Sequence, residues 1–311
     1  MKKPLRYLLA ILIIFSLNFA IPRAMPGDPL TNLLGEDALV DAGAVEELRR
    51  ELGLDAPLPL QYLRYWRDLF RLDLGYSFHL HERVSSVLLQ RMPWTLLLVG
   101  LAVLLGTTAG TWLGARSGWG RGGRLDRAGS LSMLMIYSTP PFFLGLLALY
   151  GLSFKLGLFP MRGLYDSGTL FDVARHFTLP VLVLALFLTA RNYLIMRGSV
   201  LIEKDKPYVL YARAKGLSRR QVLYRHVLRN AALPIITLVA LDFGFIFSGA
   251  LFVEIVFSMN GMGTLIYDAL LSRDYPVLQG VFLIITLMVT AANLLADLVY
   301  GRIDPRVRAA R

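Results

Sequence analysis

The sequence has no cysteine and only four histidines in 311 residues. The absence of cysteine excludes disulfides, thiolate metal sites and a cysteine nucleophile. No Gly-x4-Gly-Lys-Ser/Thr segment occurs, so the chain has no phosphate-binding loop of that type. Charged residues are also scarce, at 18% of the chain against about 25% in an average soluble domain. These absences argue against a thiol enzyme and against nucleotide hydrolysis by this chain.

Long apolar segments are abundant instead, and 55% of the residues are hydrophobic. Six segments approach the length of about 20 apolar residues that a membrane span needs. They lie near residues 5–21, 95–115, 133–159, 179–196, 233–257 and 278–300. The first could also be a cleaved signal peptide, although no small-x-small cleavage site follows it. Pro140 and Pro141 predict a kink or break in the third segment.

Basic residues fall on one side of the membrane if all six segments are spans. They are Lys2, Lys3 and Arg6, then Arg116, Arg121, Arg124 and Arg127, then nine between residues 197 and 229, and finally Arg302, Arg306, Arg308 and Arg311. Short loops rich in Lys and Arg stay in the cytoplasm. The pattern therefore predicts an all-α integral membrane protein with six transmembrane helices and both termini in the cytoplasm.

This topology divides the chain into segments with different surroundings. We expect a cytoplasmic N-terminus and first helix, a large helical extracytoplasmic loop, a transmembrane core that contains one long cytoplasmic loop, and a cytoplasmic tail. The boundaries are residues 1–23, 24–94, 95–300 with the loop at 197–232, and 301–311. The extracytoplasmic loop carries more acidic than basic residues, in keeping with its side of the membrane.

The extracytoplasmic loop contains two amphipathic patterns. Residues 42–55 predict a short helix that ends at Gly53, and residues 58–75 predict a second helix that ends near Gly75. In the second, Tyr62, Trp66 and Phe70 recur at helical spacing. This stripe favours packing on the membrane surface or on neighbouring spans, and a docking surface for an extracytoplasmic partner is the alternative.

The cytoplasmic loop has the turn chemistry of a helix-turn-helix. A first helix is expected over residues 208–215, and Gly216 suits the left-handed position that ends it. Ser218 and Gln221 have the spacing of a capping box for a second helix, which runs to about residue 230. We therefore expect two short helices at a tight turn.

Three interpretations of this basic helix-turn-helix compete. DNA binding is disfavoured because spans on both sides leave little room to reach a groove. A solvated basic loop near anionic lipid is plausible but does not explain the turn. A docking element for a cytoplasmic protein explains the small residues Ala212, Ala214 and Gly216, which permit close approach.

The stretch "ARAKGLSRRQVLYRHVLRNA", which begins at Ala212, resembles the conserved cytoplasmic loop of permease subunits in binding-protein-dependent ABC importers. The matching positions are Ala212, Gly216, His226 and Leu228. The chain departs from the family pattern at Leu210, where the family has an acidic residue, and at Arg229, where it has a proline.

Other segments resemble the dipeptide, oligopeptide and nickel branch of the same family. They are "MPGDP" at residues 25–29, "RDYPVLQG" at 273–280 and "DPRVR" at 304–308, together with the outer loop. Asn260 stands where the branch usually has a proline. Taken together in this order and spacing, the segments extend the resemblance over nearly the whole sequence.

The resemblance implies a type I ABC importer permease fold in a bacterial-type inner membrane. It implies a second, related permease subunit, two ATPase subunits that bind ATP and Mg, and an extracytoplasmic solute-binding protein. Membrane lipid is a further contact, and no nucleic acid, catalytic residue or cofactor of the chain itself is expected. Transport would proceed by alternating access, with peptides or peptide-like solutes as cargo. A nickel or nickel-chelate importer is the alternative, and an ion-gradient-driven secondary transporter is a remote one.

Ala212, Lys215, Gly216, Leu217 and His226 are the residues that we expect to couple the loop to the ATPase. Gly216 permits the turn and the small residues permit contact. The basic side chains could pair with acidic groups on the partner. These roles follow from the resemblance together with the turn chemistry.

Charges within the spans are costly and therefore mark candidate functional positions. Asp242 lies midway along the fifth predicted span and Glu254 near its outer end. Glu254 begins the segment Glu-x-x-Phe-Ser that the family also has, and the resemblance implies a structural role for it near an outer gate. Asp242 either lines the translocation path, or forms a buried pair with Arg191 or with a hydroxyl partner.

The histidines give little support to a metal site. His79 and His81 would share a face in a strand and could bind a metal, but only Glu82 offers a nearby third ligand, and an exposed loop is favoured. His176 is isolated in the sequence. No metal site and no enzyme active site is therefore expected.

Overall fold

The computed structural model describes residues 3–24, 50, 55–77, 79–120, 122–244 and 246–303. It divides the chain into two compact units, one formed by residues 1–93 and 261–290 and the other by residues 94–260 and 291–311. Both units are built almost entirely from helices in the described ranges, as the sequence predicts.

Thirteen α-helices are present in the described ranges. They are α1 (Lys3–Ala24), α2 (Leu58–Phe70), α3 (Val84–Trp119), α4 (Arg124–Ser138), α5 (Pro141–Ala148), α6 (Leu170–Glu203), α7 (Pro207–Ala214), α8 (Arg219–Gln221), α9 (Leu228–Ala231), α10 (Leu233–Gly244), α11 (Ile246–Val256), α12 (Met262–Leu271) and α13 (Tyr275–Ile303). Two π-helical segments, Leu149–Lys155 and Val222–Val227, continue α5 and α8. Strands β1 (Tyr76–Ser77) and β2 (Glu82–Arg83) form an antiparallel hairpin.

Three helices in the described ranges are long and apolar enough to cross a membrane. They contain the second, fourth and sixth predicted spans. A fourth candidate is the pair Asp126–Ser138 and Pro141–Lys155, which is bent by 99°. This bend confirms the break predicted at Pro140 and Pro141. α1 covers the first predicted span and α10 with α11 the fifth, and the six-span count stays a prediction.

In the first unit, α2 packs its aromatic stripe on α1. The Tyr62 ring lies 5.2 Å from Phe19, and the Trp66 ring lies 5.7 Å from Phe15. Phe70, the last member of the stripe, is 80% exposed. Packing on a neighbouring predicted span is therefore confirmed for the first two members of the stripe. The helix expected over residues 42–55 lies almost wholly outside the described residues.

The predicted end of α2 near Gly75 is wrong, because the helix ends at Phe70. Leu72 adopts a left-handed conformation with φ of 57°. The N–H of Leu72 donates to the carbonyl of Leu69, and the N–H of Asp73 donates to that of Asp68. These two bonds form a Schellman motif, which usually places glycine where Leu72 stands. Because leucine rather than glycine stands at this position, the sequence gives no signal for the end of the helix.

In the second unit, α3 and α6 approach each other along a row of glycines. A Cβ atom built on Gly106, Gly110, Gly114 or Gly118 would lie within 2.5–2.8 Å of an α6 atom. At Gly114 the nearest atom is the backbone oxygen of Tyr193. Small residues at four-residue spacing let helix backbones come this close.

One end of this interface carries a buried polar network. The Asp126 carboxylate accepts from Arg197 Nε at 2.7 Å and from the Gly122 N–H at 3.1 Å. Ser117 Oγ also donates to Asp126 and shares a 2.6 Å hydrogen bond with the Tyr193 hydroxyl. The network thus joins α3, α4 and α6 at one place.

Candidate functional site

The turn after α7 has the geometry that the sequence predicts. Pro207 occupies the first turn of the helix, where its missing N–H costs nothing. Gly216 has φ of 79°, its N–H donates to Arg213, and the Leu217 N–H donates to Ala212. These bonds complete a Schellman motif around Gly216. The left-handed glycine predicted at this position is confirmed.

The capping box of the following helix is also confirmed. The Gln221 N–H donates to Ser218 Oγ at 3.3 Å, and the Ser218 N–H donates to Gln221 Oε1 at 2.9 Å. The helix begins at Arg219, becomes π-helical over Val222–Val227 and returns to α-helix in α9. The second predicted helix therefore exists with an unpredicted π-helical insertion.

An apolar core lies beneath the two short helices. Val209, Val222 and Val227 are at most 1% exposed, and Ala212 is 6% exposed. These side chains form one cluster with residues of three other helices: Ala115 of α3, Met196 and Val200 of α6, and Ile235 of α10. The Ala212 side chain is therefore buried inside the chain, where it helps to pack the loop against these helices.

The outer surface of the loop carries the remaining predicted residues. Lys215, Gly216 and His226 are exposed, and Leu217 is partly buried against the apolar core. Leu210 and Tyr211 are each 71% exposed, which is unusual for large apolar side chains beside a packed core. Sequence analysis did not count these two among the coupling residues, although they lie between the buried Val209 and Ala212 and so on the other face of α7.

Two side chains fix the loop to the ends of the long helices. The Tyr208 hydroxyl donates to Glu203 Oε2 at 2.6 Å, and the Arg213 guanidinium lies 5.1 Å from the centre of the Trp119 ring. Burial and then the bond to Glu203 raise the pKa of Tyr208 to about 12, so the hydroxyl stays protonated and donating. These contacts tie α7 to both α6 and α3.

Asp242 of α10 is paired with Arg191 of α6. One guanidinium nitrogen donates to Asp242 Oδ1 at 2.8 Å and the other donates to Oδ2. The two side chains are 18% and 12% exposed. This geometry is the buried pair weighed above, and a path-lining role for Asp242 stays a prediction.

Glu254 of α11 is almost completely buried, at 1% exposure. Its Oε1 accepts a hydrogen bond from Thr95 Oγ1 of α3. Nearby, the Gly163 N–H donates to the carbonyl of Phe257 at 3.0 Å. Glu254 therefore connects α11 to α3, and its role at a gate stays a prediction.

Comparison with known proteins assigns the family. Residues 95–309 match the family described as binding-protein-dependent transport system inner membrane component, and residues 1–99 match the N-terminal model of the same type of component. The chain belongs to this family. It is therefore a membrane component of a binding-protein-dependent transport system, and the resemblance read from its loop is confirmed.

Curated relatives match over nearly the full length. A putative peptide permease protein of Brucella suis is 37% identical over 296 residues, covering 94% of this chain and 93% of the relative. A di/tripeptide transport system permease protein of Pseudomonas aeruginosa is 35% identical over 316 residues, covering 95% and 94%. A putative peptide transport system permease protein of Brucella abortus is 34% identical over 311 residues, covering 99% and 98%.

The structure places the other three histidines in two different surroundings. His79 and His81 are exposed in the turn between β1 and β2, so they do not share a strand face. Glu82 accepts hydrogen bonds from Ser86 and Gln90 instead. His176 is not isolated, because Asp172 lies one helical turn before it, 3.1 Å from its ring.

Proposed function

We propose that the chain is the permease subunit of an ATP-driven importer of peptides or peptide-like solutes. Relatives that match more than nine-tenths of the chain carry names of peptide or di/tripeptide permeases, which supports this cargo. The single structural observation that carries the proposal is the cytoplasmic loop, with its exposed surface above a core shared with α3, α6 and α10.

The loop transmits ATP-driven movement by direct packing. The exposed surface of α7 and the Gly216 turn docks in a groove on an ATPase subunit. Movement of that groove displaces the core around Ala212 and Val227, and with it the ends of α3, α6 and α10. Packed side chains pass displacement with little loss because protein interiors are nearly as dense as crystals. The spans then alternate between inward-facing and outward-facing states.

The complete transporter contains further chains. We infer a second, related permease subunit, two ATPases that hold ATP and Mg, and an extracytoplasmic solute-binding protein. The chain itself contributes six spans, cytoplasmic termini, the extracytoplasmic loop at residues 24–94 and no catalytic residue or cofactor. Lipid contacts the spans, and nucleic acid has no part in the function.

The coupling proposal is tested by Gly216→Glu, which combines left-handed strain with a charge on the docking surface. A Cβ at Gly216 meets no other atom within 4 Å, so the loop core is left intact. We expect normal membrane insertion, loss of ATPase capture and loss of uptake of a labelled dipeptide. Wild-type ATPase capture and uptake by this variant would overturn the proposal.

Gly157→Glu is the matched control for this experiment. Gly157 also has a left-handed φ, of 62°, and open space around its Cβ position, but it lies outside the coupling loop. We expect this variant to retain most of the dipeptide uptake. Equal loss in both variants would show that strain at a left-handed glycine, rather than docking, is responsible.

Asp242 is proposed to face the translocation path while it is paired with Arg191. Asp242→Asn keeps the size of the side chain and removes its charge. We expect a changed preference between peptides with and without a basic side chain, because the path loses a carboxylate. Unchanged uptake and preference in an assembled complex would leave Asp242 as a purely structural partner of Arg191.

Nickel or nickel-chelate import is the alternative within the same branch. The external binding protein carries most of the specificity, so its ligand decides between the two. A binding screen of that protein with dipeptides and with nickel chelates separates them, and peptide binding is the expected result.

A further inference from the structure

The connection before α6 wraps around the carboxylate of Asp172. Its Oδ2 accepts the backbone N–H groups of Asp166 and Ser167, each at 2.7 Å, and that of Gly168 at 3.3 Å. Thr169 caps α6 by accepting from the Asp172 N–H at 3.3 Å. These bonds fix the connection to the first turn of α6, and they hold Asp166 in a defined place.

His176 lies one turn further along α6, with only 2% of its side chain exposed. Its Nδ1 is 2.9 Å from the Asp172 carbonyl oxygen and 3.1 Å from Asp172 Oδ1. Both atoms are acceptors, so Nδ1 carries a proton and donates it. In the imidazolium Nε2 would also be a donor, whereas in the neutral ring, the form that binds metals, Nε2 holds a lone pair. This buried Nε2 has no hydrogen-bond partner.

The nearest group offered to Nε2 is another acceptor. Asp166 Oδ2 lies 3.7 Å from it, beyond hydrogen-bond distance. A buried polar atom without a partner destabilises the folded state. A lone pair that faces a carboxylate across such a gap is satisfied by a cation between them, since neither atom can donate to the other.

The distances and donor types fit a transition-metal ion. Zinc lies about 2 Å from histidine nitrogen and carboxylate oxygen, so two donors of one ion are roughly 3–4 Å apart. The 3.7 Å gap between His176 and Asp166 falls in this range. A metal-bound histidine usually donates its other N–H to a carboxylate or carbonyl, as His176 does to Asp172. Calcium and magnesium prefer oxygen donors, so the imidazole disfavours them.

We propose that Asp166 and His176 bind a zinc-class divalent cation, with Asp172 orienting the imidazole. Among the residues described, these three form the group whose ligand atoms all lie within 4.8 Å of one another. Water or an incoming donor completes the coordination. In the six-span topology the site lies on the extracytoplasmic side, where the ion fastens the connection to the first turns of α6.

The test is equilibrium dialysis of the purified full-length chain, in complex with its partner subunits, against Zn²⁺ at neutral pH. The wild type is expected to bind one more zinc per chain than Asp166→Asn and His176→Gln. The Asp166 side chain is 88% exposed, so loss of binding in Asp166→Asn does not reflect misfolding. Asp172→Asn is expected to weaken binding about 10–100-fold through the orientation of His176.

The chain offers a matched control in its other histidine pair. His79→Gln with His81→Gln removes two exposed histidines and is expected to bind zinc as the wild type does. The chain itself has no cysteine, and zinc held by the partner subunits is common to all variants and cancels in the comparison. Equal zinc binding by the wild type and by either single variant at Asp166 or His176 would overturn the site, and so would the absence of binding by the wild type. Binding is measured without transport, so either failure leaves peptide import untouched.

Discussion

The α3–α6 interface and the cytoplasmic loop both depend on glycine, for opposite physical reasons. At Gly114 the backbone conformation is ordinary, and a Cβ atom would lie 2.5 Å from the Tyr193 oxygen. At Gly216 no atom lies within 4 Å of the Cβ position, but φ is 79°. Gly114 is required by the neighbouring helix, whereas Gly216 is required by its own backbone.

This difference predicts how each region tolerates change. A side chain at Gly114 must push two helices apart, so its cost grows with its size. A side chain at Gly216 pays a fixed cost of about 1–2 kcal/mol for the left-handed conformation, whatever its size. Substitutions at Gly114 are therefore more destabilising the larger the new side chain is. Substitutions at Gly216 are destabilising whenever the new residue disfavours a positive φ.

The largest expected effect is that of Gly114→Leu. Overpacking a tight interface costs about 3 kcal/mol or more when backbone must move. We expect little folded protein and a strongly lowered melting temperature in detergent. Gly100→Leu is the control on the same helix, because a Cβ at Gly100 meets nothing within 4 Å. Similar melting temperatures for the two variants would contradict the close approach of α3 and α6.

A smaller effect is expected for Asp126→Asn at the end of the same interface. The change leaves the Arg197 charge without its carboxylate, which costs about 2–3 kcal/mol because a quarter of the Arg197 side chain stays exposed. The melting temperature of the solubilised protein measures this loss. Asp205→Asn removes an exposed aspartate and should leave stability unchanged, so an equal shift in both variants would contradict a structural role for the pair.

The smallest effect is expected for Ser218→Ala in the cytoplasmic loop. It removes one half of the capping box, at a cost of about 1 kcal/mol. Hydrogen exchange of the backbone amides of α8 should rise, while the melting temperature of the whole chain changes little. Unchanged exchange in α8 would show that the cap does not hold the second helix in place.

The features that sequence analysis found are those set by neighbours along the chain. The Gly216 turn and the Ser218–Gln221 capping box involve residues at most five apart, and their residue types are specific to those geometries. The break at Pro140 and Pro141 is local for the same reason. Local chemistry is visible in a sequence because it needs no knowledge of the packed fold.

The features that sequence analysis missed depend on partners far away along the chain. Asp126 and Arg197 are 71 residues apart, and nothing in the sequence selects this pair from the other charges. The row of glycines in α3 was visible at four-residue spacing, but its partner helix was not. The pair of Asp172 and His176 could have been found, since residues four apart share a helix face, whereas the position of Asp166 depends on the fold of the connection.

α6 is held by two ion pairs that point in different directions. Arg191 and Arg197 are six residues apart, which places them about 120° apart around the helix. Arg191 reaches α10, and Arg197 reaches α4. Rotation of α6 about its own axis would pull at least one of these pairs apart. The two pairs therefore oppose rotation of α6 about its own axis, and any motion of α6 that keeps both pairs intact carries α4 and α10 with it.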